Sequence, residues 1–256
     1  MKAALPPHGL RLVGARRPSG RRSTFWTCSL KTNVYIDGFN LFYGRLKGTP
    51  FKWLDLQNFC ELALPKLDVH RIHYFTAKLH ARARKPDQSQ KQLNYLRAIA
   101  TRPKVHVHLG TFLTSVIKQP IVDLDPITGR WQFEDDQHPR LKVDANDNVL
   151  YATVLKTEEK GSDVNLASHL LKDAFTGDCE CAVIISNDSD LLTPVRMVGE
   201  ICGLRVGLIS PRPKGSHELR SLANFSFPIR EHLLSRSQLP PLLHDQHGPI
   251  HKPLDW

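Results

Sequence analysis

The stretches V-Y-I-D-G-F-N-L, residues 34–41, and V-I-I-S-N-D-S-D-L, residues 183–191, decide the fold. Each begins with an apolar, β-branched run and stops at an aspartate, which is the pattern of a buried strand that ends in a polar turn. When helical patterns separate such strands, the strands lie in one parallel sheet with their carboxyl ends at the same edge. We therefore expect Asp37, Asp188 and Asp190 to converge at that edge.

A further acid, Asp163, opens the apolar helix pattern S-D-V-N-L-A-S-H-L-L at residues 162–171. An acid in the first turn of a helix holds its carboxylate at the helix N-terminus, which can lie at the same edge of the sheet. Taken singly, each aspartate also fits a structural role as a turn residue or a helix cap. Together the acids repel one another and raise one another's pKa values, unless a cation or hydrogen-bond donors offset the charge.

The type of ligand indicates which cation would bind. Oxygen ligands without a neighbouring histidine or cysteine favour Mg²⁺ or Mn²⁺ over zinc. A Mg²⁺ ion held by carboxylates supplies an ionised water and neutralises charge on phosphorus oxygens. The chain has no G-x-x-x-x-G-K-[ST] loop, no G-x-G-x-x-G turn and no Ser-His-Asp order that would compete for the site. The sequence therefore favours hydrolysis of a phosphate ester, with Asp37, Asp163, Asp188 and Asp190 as metal ligands and catalytic residues.

Strand and helix patterns alternate along most of the chain. Strand patterns lie at 33–37, 71–77, 104–109, 182–186 and 204–210, and helical patterns lie at 54–64, 88–100, 162–175 and 190–202. This order predicts an α/β fold, a three-layer α/β/α domain with a mostly parallel central sheet. Strand patterns at 111–118 and 149–156 flank a polar loop and predict a β-hairpin insertion, with 119–148 between them.

The composition is that of a globular protein that needs no disulfide bonds. The chain has 256 residues, 41% of them apolar, and no apolar run approaches the roughly 20 residues of a transmembrane helix, so no membrane partner is expected. Its five cysteines show no C-x-x-C spacing. Reduced thiols in apolar segments favour a cytoplasmic protein without zinc.

The formal net charge of +10 is concentrated near the start, where residues 1–36 hold seven basic residues and no acid. Residues 1–32 are predicted to be a basic N-terminal extension. Three interpretations of it stay open: a disordered extension or an upstream start codon, a nucleic-acid-binding arm, and a targeting segment. The domain is predicted to span 33–236, and 237–256, with four prolines and little periodicity, is predicted to be a C-terminal tail.

Three motifs in this order resemble the signatures of NYN-domain proteins, relatives of the PIN-domain nucleases: V-Y-I-D-G-F-N-L, T-E-E-K-G-S-D-V-N-L-A and I-I-S-N-D-S-D-L. The resemblance covers residues 33–235, and the final G-P-I-H-K-P-L-D-W is similar to the ending of bacterial members. It implies a PIN-like, Rossmannoid α/β/α fold. It also implies an endoribonuclease site that uses Mg²⁺ or Mn²⁺ and acts on RNA.

The resemblance also assigns roles to individual residues. Four acids match the family's acids: Asp37 at the first strand, Asp163 at the helix start, and Asp188 with Asp190 after the central strand. Asn40 matches an amide that would hold a carboxylate or a phosphate, and Ser186 matches a hydroxyl beside the metal.

Asn187 departs from the commonest form of the last motif, S-G-D-S-D, which has glycine at this position. Glycine there implies a turn that needs a left-handed backbone. Because asparagine tolerates that conformation better than most residues, we expect the turn to survive.

Basic residues that would lead RNA to the acids follow the second strand pattern. Residues 78–91 hold five lysines or arginines against one acid. Arg82, Arg84 and Lys85 are the candidate RNA contacts in this stretch, and Lys160 is a further candidate near the acids. Because no aromatic residue is interleaved for base stacking, a solvated loop and helix face is the alternative interpretation, and a solvated lysine is the alternative for Lys160.

His73, His106 and His108 occupy strand patterns with apolar neighbours. This setting is typical of residues that pack in a core or on a sheet face. The sequence thus favours a packing role over a ligand role for these histidines.

The leading hypothesis is a cytoplasmic, Mg²⁺- or Mn²⁺-dependent ribonuclease. Two alternatives stay open: a non-catalytic RNA- or protein-binding regulatory module that retains the NYN fold, and a phosphatase that acts on small substrates. A homodimer is compatible with the sequence, which does not require one.

Overall fold

The computed structural model describes residues 29–79, 87–135, 138–213 and 215–256. Its strands are β1 (Lys31–Asp37), β2 (Asp68–Ala77), β3 (Val105–Pro120), β4 (Tyr151–Lys160), β5 (Cys181–Ile185), β6 (Arg205–Ser210), β7 (Phe225–Pro228), β8 (Leu242–Asp245) and β9 (Gly248–His251). Seven of them form one sheet in the order β4-β3-β2-β1-β5-β6-β7. All neighbours in this sheet are parallel except β3 and β4, which are antiparallel, so the predicted mostly parallel sheet is confirmed.

Seven α-helices connect or follow these strands over the described ranges: α1 (Gly38–Leu41), α2 (Leu56–Ala63), α3 (Asp87–Ala100), α4 (Ser162–Phe175), α5 (Leu192–Glu200), α6 (His217–Leu222) and α7 (Glu231–Arg236). A short π-helical segment, Phe42–Leu46, continues α1. The helix pattern predicted at 190–202 divides into a 3₁₀ turn, Ser189–Leu191, followed by α5.

Two hydrophobic cores cover the two faces of the sheet. Successive residues of β1 point to opposite faces, so Ile36 enters the core that includes Phe59 of α2, while Tyr35 enters the core that includes Leu170 of α4 and Val195 of α5. Both β1 side chains are fully buried. This arrangement of helices on both faces confirms the predicted three-layer α/β/α domain.

Strand β3 is one continuous strand, whereas the sequence predicts two strands separated near Gly110. Its first part pairs with β2, as far as Ala77 beside Gly110, and its second part pairs with β4, beginning at Thr111 beside Lys160. A Cβ at Gly110 would lie 2.7 Å from the carbonyl oxygen of Lys160, so only glycine lets the two backbones approach here. The glycine that suggests a break in the pattern is therefore the point where the strand changes partner.

The predicted hairpin insertion begins with the exposed ladder of β3 and β4, which pair from Thr111–Lys160 to Pro120–Tyr151. Beyond the ladder, Val122 pairs with Leu141, and three short turns are closed by the isolated bridges Leu124–Trp131, Phe133–Pro139 and Val143–Val149. None of these bridge residues belongs to the two cores.

The C-terminal residues differ from the predicted tail. Strands β8 and β9 form an antiparallel hairpin, and Leu239 and Ile250 are buried in the core on the α2 and α3 side. The indole Nε1 of the buried Trp53 donates to the carbonyl oxygen of Pro240 at 2.8 Å. The prolines remove strand periodicity from this segment, but its apolar residues still complete the core, which corrects the prediction for 237–256.

No helix over the described residues combines the length and the apolar character that crossing a bilayer requires.

Candidate metal centre

The acidic residues lie where the strand order of the sheet reverses. From β1 the chain proceeds to β2 on one side of it, and the later strand β5 lies on the other side. In open α/β sheets the loops that leave such neighbouring strands diverge and form a crevice at their carboxyl ends. Asp37 is the last residue of β1, and Asp188 lies three residues after the end of β5.

Asp37 is held by hydrogen bonds to both of its carboxylate oxygens. The backbone N–H of Asn40 donates to Oδ1 at 2.9 Å, and the Asn40 side-chain amide donates to Oδ2 at 2.9 Å. Ser186 Oγ donates to Oδ2 at 3.1 Å. Only 4% of Asp37 is exposed, and burial raises its pKa, while the hydrogen bonds from Asn40 and Ser186 oppose that shift. The Asp37 side chain is therefore fixed in position, but its hydrogen bonds only partly offset the cost of burying its negative charge.

Ser186 and Asn187 connect the loop after β5 to Asp37 and Asn40. Ser186 Oγ also accepts from the backbone N–H of Asp188 at 3.0 Å, so the same hydroxyl contacts two of the acids. The backbone N–H of Asn187 donates to Asn40 Oδ1 at 3.2 Å, and Asn187 Oδ1 accepts from the backbone N–H of Arg212 at 2.8 Å.

The left-handed backbone expected at Asn187 is not found. Among the described residues other than glycine, only Asp147 has a positive φ. Asn187 instead acts through its amide, which ties the loop after β5 to the loop after β6. A glycine at this position would lack that side-chain contact.

Asp163 approaches from the first turn of α4. Gly161 is the N-cap residue before this helix, and its φ of 98° lies in the left-handed region. Glu159 accepts from both the backbone N–H and the hydroxyl of Ser162, at 3.0 and 2.6 Å. Burial, followed by the charges of Asp37 and Asp188, raises the pKa of Asp163 to about 6. Glu159 contributes to this shift. Sequence reasoning missed Glu159, because an acid three residues before a helix-opening serine is the reverse of the usual capping pattern.

Three of the four predicted acids come together. Each of Asp37, Asp163 and Asp188 offers a carboxylate oxygen, and these oxygens lie within 4.8 Å of one another. Asp190 is exposed and stands outside this group, and its backbone N–H donates to Asp188 Oδ1 at 3.0 Å. Three carboxylates at this spacing, with the pKa of Asp163 raised by burial and by the charges of the other acids, could hold a metal ion.

The residues predicted to contact the substrate differ in where they lie and what they contact. Asn40 and Ser186 are already engaged with Asp37, so they position a carboxylate. Lys160 is 57% exposed and pairs with Glu158, with 3.1 Å between Nζ and Oε2. Arg82, Arg84 and Lys85 lie outside the described residues.

Comparisons with known proteins identify the family of this chain. The profile of the NYN domain matches residues 127–230, which include Asp163 and Asp188. The chain is 32% identical over 251 residues to 6-hydroxy-3-succinoylpyridine 3-monooxygenase HspA of Pseudomonas putida (strain DSM 28022 / S16), covering 89% of this chain and 75% of that protein.

Among solved structures, the crystal structure of VPA0982, a protein of unknown function from Vibrio parahaemolyticus RIMD 2210633, is similar to 83% of this chain and 97% of that one. The sequence identity is 16% and the TM-score is 0.46. With the motif order, the domain match and the relative taken together, the chain belongs to the NYN-domain family.

Proposed function

We propose that this protein is a metal-dependent ribonuclease that hydrolyses phosphodiester bonds of RNA. The observation that carries the proposal is the group of three carboxylates, Asp37, Asp163 and Asp188, within 4.8 Å of one another at the switch point of the sheet. The NYN family, which belongs with the PIN-like nucleases, supports the choice of a phosphodiester as the substrate.

The carboxylates of Asp37, Asp163 and Asp188 would hold Mg²⁺ or Mn²⁺. When bound, the ion supplies an ionised water and neutralises charge on the phosphorus oxygens. Asp37 keeps its orientation through Asn40 and Ser186, so a ligand oxygen is already aligned before the cation arrives. Burial and the neighbouring acids raise the pKa of Asp163 to about 6 in the metal-free protein, and a bound cation would offset that repulsion.

RNA is the proposed partner, with Lys160, Arg82, Arg84 and Lys85 as its proposed contacts. Asp190 is proposed to act with the three grouped acids as a catalytic carboxylate. The net charge of +10 favours a polyanion over a small neutral substrate. The four described cysteines are free thiols, which supports the cytoplasm as the compartment.

A second candidate function follows from the relative HspA, whose name describes a 3-monooxygenase of 6-hydroxy-3-succinoylpyridine. The similarity covers 89% of this chain, so hydroxylation of a pyridine ring is a specific alternative. That reaction consumes O₂ and a reductant, whereas phosphodiester hydrolysis consumes only water.

The test is to incubate the purified full chain with total RNA, with and without Mn²⁺, and to map the new ends. We expect Mn²⁺-dependent cleavage that leaves no 2′,3′-cyclic phosphate, because water and not the ribose 2′-hydroxyl attacks phosphorus. Parallel reactions contain either a generic phosphomonoester, or 6-hydroxy-3-succinoylpyridine with a reduced nicotinamide cofactor and an oxygen electrode.

Each outcome of these reactions decides between the candidates. Phosphomonoester hydrolysis with intact RNA would replace the proposal with a phosphatase. Oxygen uptake that depends on the pyridine, with intact RNA, would replace it with the monooxygenase. RNA binding without any turnover would replace the proposal with the non-catalytic regulatory module.

A further inference from the structure

Three histidines from three different elements meet between the sheet and α4: His73 of β2, His108 of β3 and His169 of α4. Each offers a ring nitrogen, and these nitrogens lie within 4.8 Å of one another. His73 Nδ1 is 2.9 Å from His108 Nε2, and the ring centroids of His108 and His169 are 4.1 Å apart. Two nitrogens bound at about 2.1 Å to a tetrahedral ion lie about 3.4 Å apart, a separation close to that of the hydrogen-bonded His73–His108 pair.

Asp173 faces the most buried of these rings. Its Oδ2 lies 3.2 Å from His73 Nε2, and it also accepts from the Tyr35 hydroxyl at 2.9 Å and from Asn33 Nδ2 at 3.3 Å. A carboxylate facing one nitrogen of an imidazole leaves the lone pair of the other nitrogen for a metal ion. Here that other nitrogen is His73 Nδ1, which faces His108.

His169 is not explained by hydrogen bonding within the described residues. Its Nδ1 is buried and has no hydrogen-bond partner there. Buried polar atoms are nearly always paired, so an unpaired nitrogen beside two other imidazoles calls for a partner. His73 is 5% exposed, whereas His108 and His169 are partly exposed, so an ion can reach the group from the outer side.

The ionisation of these rings supports a ligand role. Burial, followed by the charges of His169 and His73, lowers the pKa of His108 to about 4. Burial, followed by His73, lowers the pKa of His169. Neutral imidazole is the form that binds metals, and the lowered pKa values favour that form of His108 and His169 at neutral pH.

The histidine group is separate from the three acids in position and in chemistry. Along α4, His169 follows Asp163 by six residues, which is about 9 Å of helix. Along β2, His73 precedes Phe75, the register partner of Asp37, by two residues, which is about 7 Å of strand. Carboxylates select Mg²⁺ or Mn²⁺, whereas imidazoles favour zinc and its transition-metal neighbours.

We propose that His73, His108 and His169 form a second metal site, for a divalent transition ion of the zinc class. The ion would join β2, β3 and α4, and water would complete its coordination. In this site His73 and His108 have a ligand role in addition to the packing role that the sequence favours. His106 is more exposed and lies outside the group, which makes it a matched control.

The test uses the full chain without a polyhistidine tag, stripped of metal with a chelator. Zn²⁺ is titrated by calorimetry, and Co²⁺ is added as a spectroscopic probe of tetrahedral nitrogen ligation. We expect one Zn²⁺ site that raises the melting temperature. His108→Gln and His169→Gln should each weaken Zn²⁺ binding by at least about 100-fold, since even outer-shell changes cost 10- to 100-fold. His106→Gln should bind Zn²⁺ like the parent.

The acidic centre provides an independent control. Asp188→Asn should leave Zn²⁺ binding unchanged, and His169→Gln should leave Mn²⁺ binding unchanged. The histidine site is therefore tested independently of the proposed ribonuclease activity. X-ray absorption of the Zn²⁺-loaded parent counts its imidazole ligands even if the variants fail to fold, and three are expected. The absence of tight Zn²⁺ binding, a site with only oxygen ligands, or equal weakening by His106→Gln would overturn the proposal.

Discussion

Asp37→Asn should lower the rate of Mn²⁺-dependent RNA cleavage by on the order of 10³-fold, equivalent to about 4 kcal/mol of transition-state stabilisation. The substitution removes the charge of the most firmly held ligand. It also turns an acceptor into an amide whose N–H₂ would face the donors Asn40 and Ser186, because both oxygens of Asp37 accept hydrogen bonds. The measurement is single-turnover cleavage of an end-labelled RNA that the parent protein cuts.

Asp68→Asn is the matched control for this loss. Asp68 is exposed at the start of β2, at the opposite end of the sheet from the crevice, and its substitution changes the net charge equally. We expect it to cleave at the parent rate. Circular dichroism of both variants shows whether the fold is retained. A folded Asp37→Asn protein with parental activity in Mn²⁺ would exclude the acidic centre as the site of cleavage.

Asp163→Asn should stabilise the metal-free protein and yet lower RNA cleavage by on the order of 10²-fold, as expected for loss of a catalytic group. The pKa of Asp163 is raised to about 6, so the folded state binds a proton more tightly than the unfolded state does. This penalty is absent below about pH 4, the usual pKa of an unfolded aspartate, and is complete above about pH 6. Discounted for solvent screening of a half-exposed side chain, the gain in unfolding free energy at pH 7 is on the order of 1 kcal/mol.

Urea denaturation of the parent and of Asp163→Asn, at pH 4 and pH 7 with a chelator, measures this difference. We expect the two proteins to be nearly equal at pH 4 and the variant to be the more stable at pH 7. Saturating Mn²⁺ should reverse the order at pH 7, because the parent gains binding free energy that the variant lacks. A variant that is less stable than the parent under all conditions would mean that Asp163 serves to hold the fold together.

The strands that carry the site could be predicted because they are buried on both faces. β5 and residues 34–36 of β1 are continuous apolar runs, and an aspartate stands at or just after the end of each strand. Their type, direction and shared edge therefore follow from the sequence. The start of α4 could likewise be predicted, because Ser162 and Asp163 form a typical helix N-terminus.

Other features depend on contacts that sequence patterns do not encode. Gly110 interrupts a strand pattern, yet the strand continues because the glycine admits the backbone of Lys160. Asn187 uses its side chain to contact the loop after β6, a partner 25 residues away. Leu239 and Ile250 join the core although prolines hide the period of their strands.

The histidine group also could not be predicted from sequence patterns. His73, His108 and His169 are far apart in sequence, and each alone fits a buried or half-buried packing position. Only the register of β2 with β3, and the facing turn of α4, brings their nitrogens within 4.8 Å of one another.

The central claim is that Asp37, Asp163 and Asp188 bind the divalent cation needed for catalysis. Calorimetric titration of the full chain with Mn²⁺ at neutral pH, for the parent, Asp37→Asn and Asp188→Asn, tests it most directly. We predict that the parent binds one Mn²⁺ at this site and that both variants lose this binding. A parent that binds no Mn²⁺, or variants that bind it as tightly as the parent, would contradict the claim.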